Sequence, residues 1–196
     1  MQIANGFDLN KTLITTPYLE YAQEVDADIC QRWIKTQETP GLDDQKAVDR
    51  FEEIVEEGFV SGDMPVYATE NAVETIQALR EQGHRIFVYS TCTANATAAA
   101  LENAGFSGIE PLSTFDYQEG KTDAKTADGL RAVAAHLGMP VATYADDKLS
   151  DLQSARVAFG GDTKLYHIGG TNDDKETGTI AIATLDQILK VNESRL

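Results

Sequence analysis

The feature that most constrains the fold is an alternation repeated along the chain: short β-rich apolar runs followed by helical stretches that stop at glycine. The runs fall at residues 3–7, 85–89, 140–144 and 164–168. Helical spacing of apolar residues covers 70–82, ending at Gly83, and 126–137, ending at Gly138. Residues 94–103 form an alanine-rich helix closed by Gly105, and 149–158 another closed by Gly160 and Gly161. Glycine after the last periodic residue supplies the left-handed turn that ends a helix. Strands separated by helices of this length join through right-handed crossovers into a parallel sheet. The expected fold class is therefore α/β, a doubly wound (Rossmann-like) parallel sheet.

Residues 15–62 interrupt that alternation. Two amphipathic helices, 17–37 and 43–57, follow one another with no strand between them, separated by Thr39-Pro40-Gly41 and closed by Ser61-Gly62-Asp63. This reads as a small helical cap placed directly after the first strand, so that residues 1–14 and 63–196 form the core domain. Tyr18, Tyr21, Trp33 and Phe51 read as the core of the insert rather than as ligand contacts. The stretch 169–178 is a polar loop, and 184–191 a short terminal helix. The amphipathic cap helices also offer a surface for pairing in a homodimer.

Charge narrows the partners. The 196 residues carry a formal net charge of −16 and a pI near 4.4, which argues against a nucleic-acid backbone or an anionic membrane surface, since either would be repelled. Small ligands held through a cation remain open. Cys30 and Cys92 stand far apart, with no C-x-x-C spacing, and read as reduced thiols. No run approaches the roughly 18 apolar residues of a membrane span, and MQIANGFD lacks the regions of a signal peptide. A cytoplasmic protein is expected.

In an open parallel sheet, ligands bind at the carboxyl ends of the strands. The polar residues there form a set: Asp8 and Asn10 after the first strand, Ser90 and Thr91 after the second, Lys121 before the next helix, and Asp146, Asp147 and Asp151 after a later strand. Each has an ordinary reading. Asp8, Ser90 and Thr91 are good helix caps, and Lys121 would suit a solvated loop. The run ADDKLSD (145–151) is harder to dismiss, because adjacent acids at a strand end repel one another unless a cation sits between them.

In order and spacing these residues resemble the haloacid dehalogenase superfamily, over essentially the whole chain. FDLNKTL matches that superfamily's Asp-x-Asp-x-Thr signature at Asp8 and Thr12, VYST its strand-end Ser at Ser90, GKTD its lysine at Lys121, and ADDKLSD its acidic cluster at Asp146 with Asp151. A helical cap after the first motif fits the same resemblance. YSTCT and FDYQEGKTDAK look most like the enolase-phosphatases. The resemblance implies a Mg²⁺-dependent hydrolase acting on a small phosphorylated metabolite, with Asp8 as nucleophile. Mg²⁺ would be held by Asp8, Asp146, Asp147 or Asp151 and the main-chain carbonyl of Asn10. Thr12, Ser90 and Thr91 would meet the substrate, and Lys121 would neutralise charge on Asp8 and the phosphoryl group. Lys125 rivals Lys121: the GKTD context favours Lys121, and the spacing back from Leu137-Gly138 favours Lys125.

Asn10 departs from the signature, which has an acid there. A carboxylate at that position would protonate the leaving oxygen, a contribution of about 10²- to 10⁴-fold; an amide can hydrogen-bond but cannot exchange the proton. Three alternatives follow: a phosphatase for substrates with good leaving groups, a binding or regulatory protein of low activity, or a 2-haloacid dehalogenase-like hydrolase.

Overall fold

The computed structural model describes residues 2–119, 124–175 and 178–193. The chain begins with β1 (Ala4–Phe7) and β2 (Ile14–Thr15), enters three helices, α1 (Tyr18–Val25), α2 (Ala27–Glu38) and α3 (Gln45–Ser61), and returns through β3 (Tyr67–Ala68). Strand and helix then alternate as α4 (Ala72–Glu81), β4 (Arg85–Ser90), α5 (Ala94–Asn103) and β5 (Glu110–Ser113). The remainder is α6 (Thr114–Tyr117), α7 (Ala127–Leu137), β6 (Val141–Asp146), α8 (Leu149–Phe159), β7 (Lys164–Ile168), β8 (Thr179–Ile182) and α9 (Gln187–Glu193).

Six strands form one sheet in the order β5-β4-β1-β6-β7-β8, with every pairing parallel. This is the α/β architecture expected from the alternation. Helices cover both faces, over cores built around Phe7, Val88, Ala145 and Tyr166 on one side and Phe87, Tyr89, Tyr144 and Leu165 on the other. β1 lies between β4 and β6, all four of its residues are buried, and it can only lie flat because Gly6 has no side chain. A Cβ there would stand 2.2 Å from Phe87 Cζ and 2.6 Å from Tyr144 Cδ2. The central position of β1 brings the ends of β1, β4 and β6 to one edge, the place where the strand order reverses and ligands bind.

The insert has three helices where the sequence pattern predicts two. The break falls at Asp26, whose extended backbone (φ −152°, ψ 92°) ends α1 while its carboxylate caps α2 by accepting from the Ile29 amide at 3.1 Å. Chain entry and exit pair as a short antiparallel ribbon, Ile14 with Ala68 and Thr15 with Tyr67. Inside the cap, Ala22, Cys30, Phe51 and Ile54 are buried together, and Trp33 stacks on Phe51 with ring centroids 4.1 Å apart and planes 8° off parallel. Glu56 of α3 ties the cap to the core, accepting from the Thr93 amide at 2.7 Å and its hydroxyl at 2.9 Å.

Two further strands lie outside the sequence pattern. β5 reads EPLS and contains a proline, which the outermost strand of a sheet tolerates. β8 is four residues on the opposite edge, beyond the polar loop. Among the described residues no helix is long and apolar enough to cross a membrane, and both cysteines are free.

Candidate active site

Asp8 follows β1 without leaving the ladder, since its amide donates to Ala145 O at 2.9 Å. Asp146 is the next residue of β6, so the two carboxylates project from adjacent strand ends. Beyond Asp8 the chain turns sharply. Lys11 takes a left-handed backbone (φ 59°), its amide donates to Ile14 O at 2.7 Å, and the amides of Leu13 and Ile14 both return to Leu9 O. This turn places Asn10 on the wall of the pocket.

Among the described residues, Lys125 is the cation that meets the carboxylates directly. Its side chain is buried, and Nζ lies 2.5 Å from Asp8 Oδ1, 2.6 Å from Asp146 Oδ2 and 3.7 Å from Asp151 Oδ2. Position comes from the start of α7: Thr126 caps the helix by accepting from the Gly129 amide at 3.1 Å, which fixes the residue before it. Gln118 braces the same segment. Its Oε1 accepts from the Thr126 amide at 3.1 Å and its Nε2 donates to Ala124 O at 3.2 Å. Nothing in the sequence singles out Gln118, a glutamine within a polar stretch. Lys121, the other candidate lysine, lies outside the described residues.

The acids divide into two roles. One oxygen from each of Asp8, Asp146 and Asp147 lies within 4.8 Å of the others, an arrangement able to hold a cation. Asp151 is not in that group; from the first turn of α8 it faces Lys125. Asp146 is anchored on all sides, with Oδ1 accepting from the Lys148 amide at 2.9 Å and Oδ2 from Lys125 and Tyr144. Lys11 Nζ approaches Asp147 at 4.0 Å, but most of the Lys11 side chain is in solvent.

Among the described residues the site is short of positive charge. Burial, with Asp146 and Asp147 alongside, pushes the Asp8 carboxyl up to about 7, although the Lys125 ammonium pulls it down. Asp147 and Asp151 are raised as well, each first by burial. The oxygens are hard donors, and a magnesium ion suits a site of few carboxylates that leaves room for phosphate oxygens and water. Donor set and charge deficit therefore both fit Mg²⁺.

The pocket encloses about 280 Å³ between the strand ends and the cap. Ser90 and Thr91 line it with Asp8, Asn10, Lys125, Asp147 and Asp151. Ser90 Oγ accepts from the Cys92 amide at 3.1 Å, and burial pushes the Cys92 thiol up to about 12, which leaves it protonated and unreactive. Thr12 is fully buried and outside the pocket lining, and its carbonyl accepts from Thr69 Oγ1 at 2.8 Å.

No family model and no curated protein matches the chain. Solved structures do. A hydrolase from Pseudomonas syringae superposes with a TM-score of 0.66 at 15% identity, over 98% of this chain and 99% of that one. A conserved haloacid dehalogenase-like protein of unknown function from Agrobacterium tumefaciens gives 0.64 at 11% identity, over 99% and 98%. A haloacid dehalogenase family hydrolase from Deinococcus radiodurans, solved with bound phosphate and sodium, gives 0.60 at 18% identity, over 98% and 95%. These likenesses do not extend to the finer similarity with enolase-phosphatases. Covering nearly all of each partner, they show that this chain has the fold of the haloacid dehalogenase superfamily.

Proposed function

We propose that the protein is a Mg²⁺-dependent phosphate monoester hydrolase of the haloacid dehalogenase type, acting on a small phosphorylated metabolite. The observation that carries this reading is the Asp8–Lys125–Asp146 constellation at adjoining strand ends, with Asp147 beside it. Asp8 attacks phosphorus in line; its oxygen gains a P–O bond as the ester P–O bond breaks and the leaving oxygen departs with the electron pair, taking its proton from solvent. Water then attacks the aspartyl-phosphate at phosphorus, releasing inorganic phosphate and restoring the carboxylate. Lys125 compensates the charge on Asp8, and Ser90 and Thr91, which line the pocket, would donate to the phosphoryl oxygens. Asp8, Asp146 and Asp147, with the Asn10 carbonyl, would hold Mg²⁺. When bound there, the ion offsets the carboxylates that would otherwise repel a phosphate dianion.

Dehalogenation fits less well. Displacing halide from carbon with Asp8 gives the Asp146–Asp147 pair no task, since that chemistry needs no cation. Asn10 does support a site of low turnover on poor leaving groups, or one retained for binding. Assays of the purified protein on phosphate esters with Mg²⁺ and with EDTA, and on 2-haloacids, decide among these. Metal-dependent phosphate release is expected. Halide release in EDTA would overturn the reading, and Mg²⁺ binding without turnover on any ester would favour a binding protein.

A further inference from the structure

Resting on the phosphatase reading, we propose that the natural substrate is an aryl phosphate monoester whose ring carries no negative charge. Three independent features of the pocket lead there.

The first is the roof. Tyr18 and Trp33 of the cap line the pocket with part of their rings exposed, backed by the buried Phe51 and Phe59. Trp33 and Phe51 are stacked, and Tyr18 stands edge-on to both, at 6.4 Å and 6.3 Å between centroids. An aromatic wall of this kind favours an aromatic guest by stacking and by the apolar area removed from water.

Charge is the second. The cations lining the pocket, Lys11, Lys125 and Lys148, all belong to the core domain. Among the described residues the cap contributes no cation to the lining, only the carboxylates Glu52 and Glu56. A second phosphate or a carboxylate on the organic part would meet like charge at the roof with no partner, which selects against bisphosphates and phosphorylated acids.

The third is Asn10, which lines the pocket but cannot protonate a leaving oxygen. A phenol, with a pKa of about 10, departs as its anion far more readily than an alkyl alcohol, whose pKa lies nearer the value of about 16 for water. An aryl ester therefore dispenses with the proton that position 10 does not supply.

The test is steady-state kinetics in Mg²⁺ on acetyl phosphate, phenyl phosphate, 4-(aminomethyl)phenyl phosphate, 4-carboxyphenyl phosphate and glycerol phosphate. Acetyl phosphate has a good leaving group and no ring, so its hydrolysis reports the phosphatase reading alone. We expect kcat/KM for the neutral and cationic aryl esters to exceed those for the carboxylated ester and the alkyl ester by at least tenfold. Trp33→Ala should raise KM for phenyl phosphate about tenfold, and by more than it raises KM for acetyl phosphate. Asn10→Asp should speed glycerol phosphate far more than phenyl phosphate. Turnover of acetyl phosphate with no preference among the esters, or with 4-carboxyphenyl phosphate favoured, overturns the aryl assignment and leaves the phosphatase standing. No turnover of acetyl phosphate or any ester overturns both. The comparison of the charged aryl esters uses wild-type protein, so the proposal stands or falls on those rates even if the cap fails to fold without Trp33.

Discussion

Replacing Lys125 by methionine keeps the length of the side chain and removes the ammonium lodged between Asp8 and Asp146. In the metal-free protein those carboxylates, together with Asp151, would then be buried without compensation. Removing one member of a buried ion pair costs about 3–5 kcal/mol. The Asp8 carboxyl, raised from 3.8 to about 7 even with Lys125 present, gives the direction: burial and the neighbouring acids already disfavour its ionisation, and losing the ammonium adds to that. For a chain of this length 1 kcal/mol moves Tm by about 2–4 °C, so the variant should melt about 6–20 °C below wild type at pH 8 in EDTA. The sign of the pH dependence follows from linkage. A carboxyl group whose folded pKa is raised binds more protons folded than unfolded between the two values, so stability falls as pH climbs through that window. Losing Lys125 raises Asp8 further, and the deficit against wild type should be smaller at pH 5 than at pH 8. Urea denaturation at both values measures it. A deficit under about 0.5 kcal/mol at pH 8, or one that grows as pH falls, would show that Lys125 does not compensate these carboxylates.

Mg²⁺ binding should release a proton from Asp8, so affinity measured by calorimetry should rise about tenfold between pH 6 and pH 8; a flat profile would show that Asp8 is not a ligand. Gly6→Ala should cost about 1–3 kcal/mol in urea denaturation, because the new methyl meets Phe87 and Tyr144 in the middle of the sheet. Glu56→Ala removes both bonds that tie the cap to Thr93. At about 1 kcal/mol, hydrogen exchange of the Thr93 amide should quicken about fivefold with global stability little changed.

The sequence pattern locates the main strands because each is a short, mostly apolar run bounded by turn or polar residues. Two runs end one or two residues short, at Tyr89 and Tyr144, because the next polar residue ends the apolar signal. The ladder continues regardless: Ser90 pairs with Ser113 and Asp146 with His167. Main-chain hydrogen bonding is blind to side-chain polarity, which is how a strand can present a serine or an aspartate rigidly at its end. The break at Asp26 is hidden for a related reason, since a capping aspartate in a helical pattern looks like one more surface acid. Local motif context and helix spacing point to different lysines, and only Thr126 as the cap of α7 fixes where Lys125 sits. Asp147 and Asp151 cannot be separated from sequence. Which of them turns toward Asp8 and which toward Lys125 depends on where α8 starts, and α8 begins at Leu149.

Everything else depends on Asp8 accepting the phosphoryl group. Acid quenching of the enzyme during turnover of phenyl phosphate or acetyl phosphate with Mg²⁺, followed by peptide mass mapping, reads this directly. One added phosphoryl group is expected on the peptide that contains Asp8, absent when substrate is omitted and absent in Asp8→Asn, which releases no phosphate. A phosphoryl group mapped to another residue, or phosphate release that survives in Asp8→Asn, would contradict a nucleophilic Asp8.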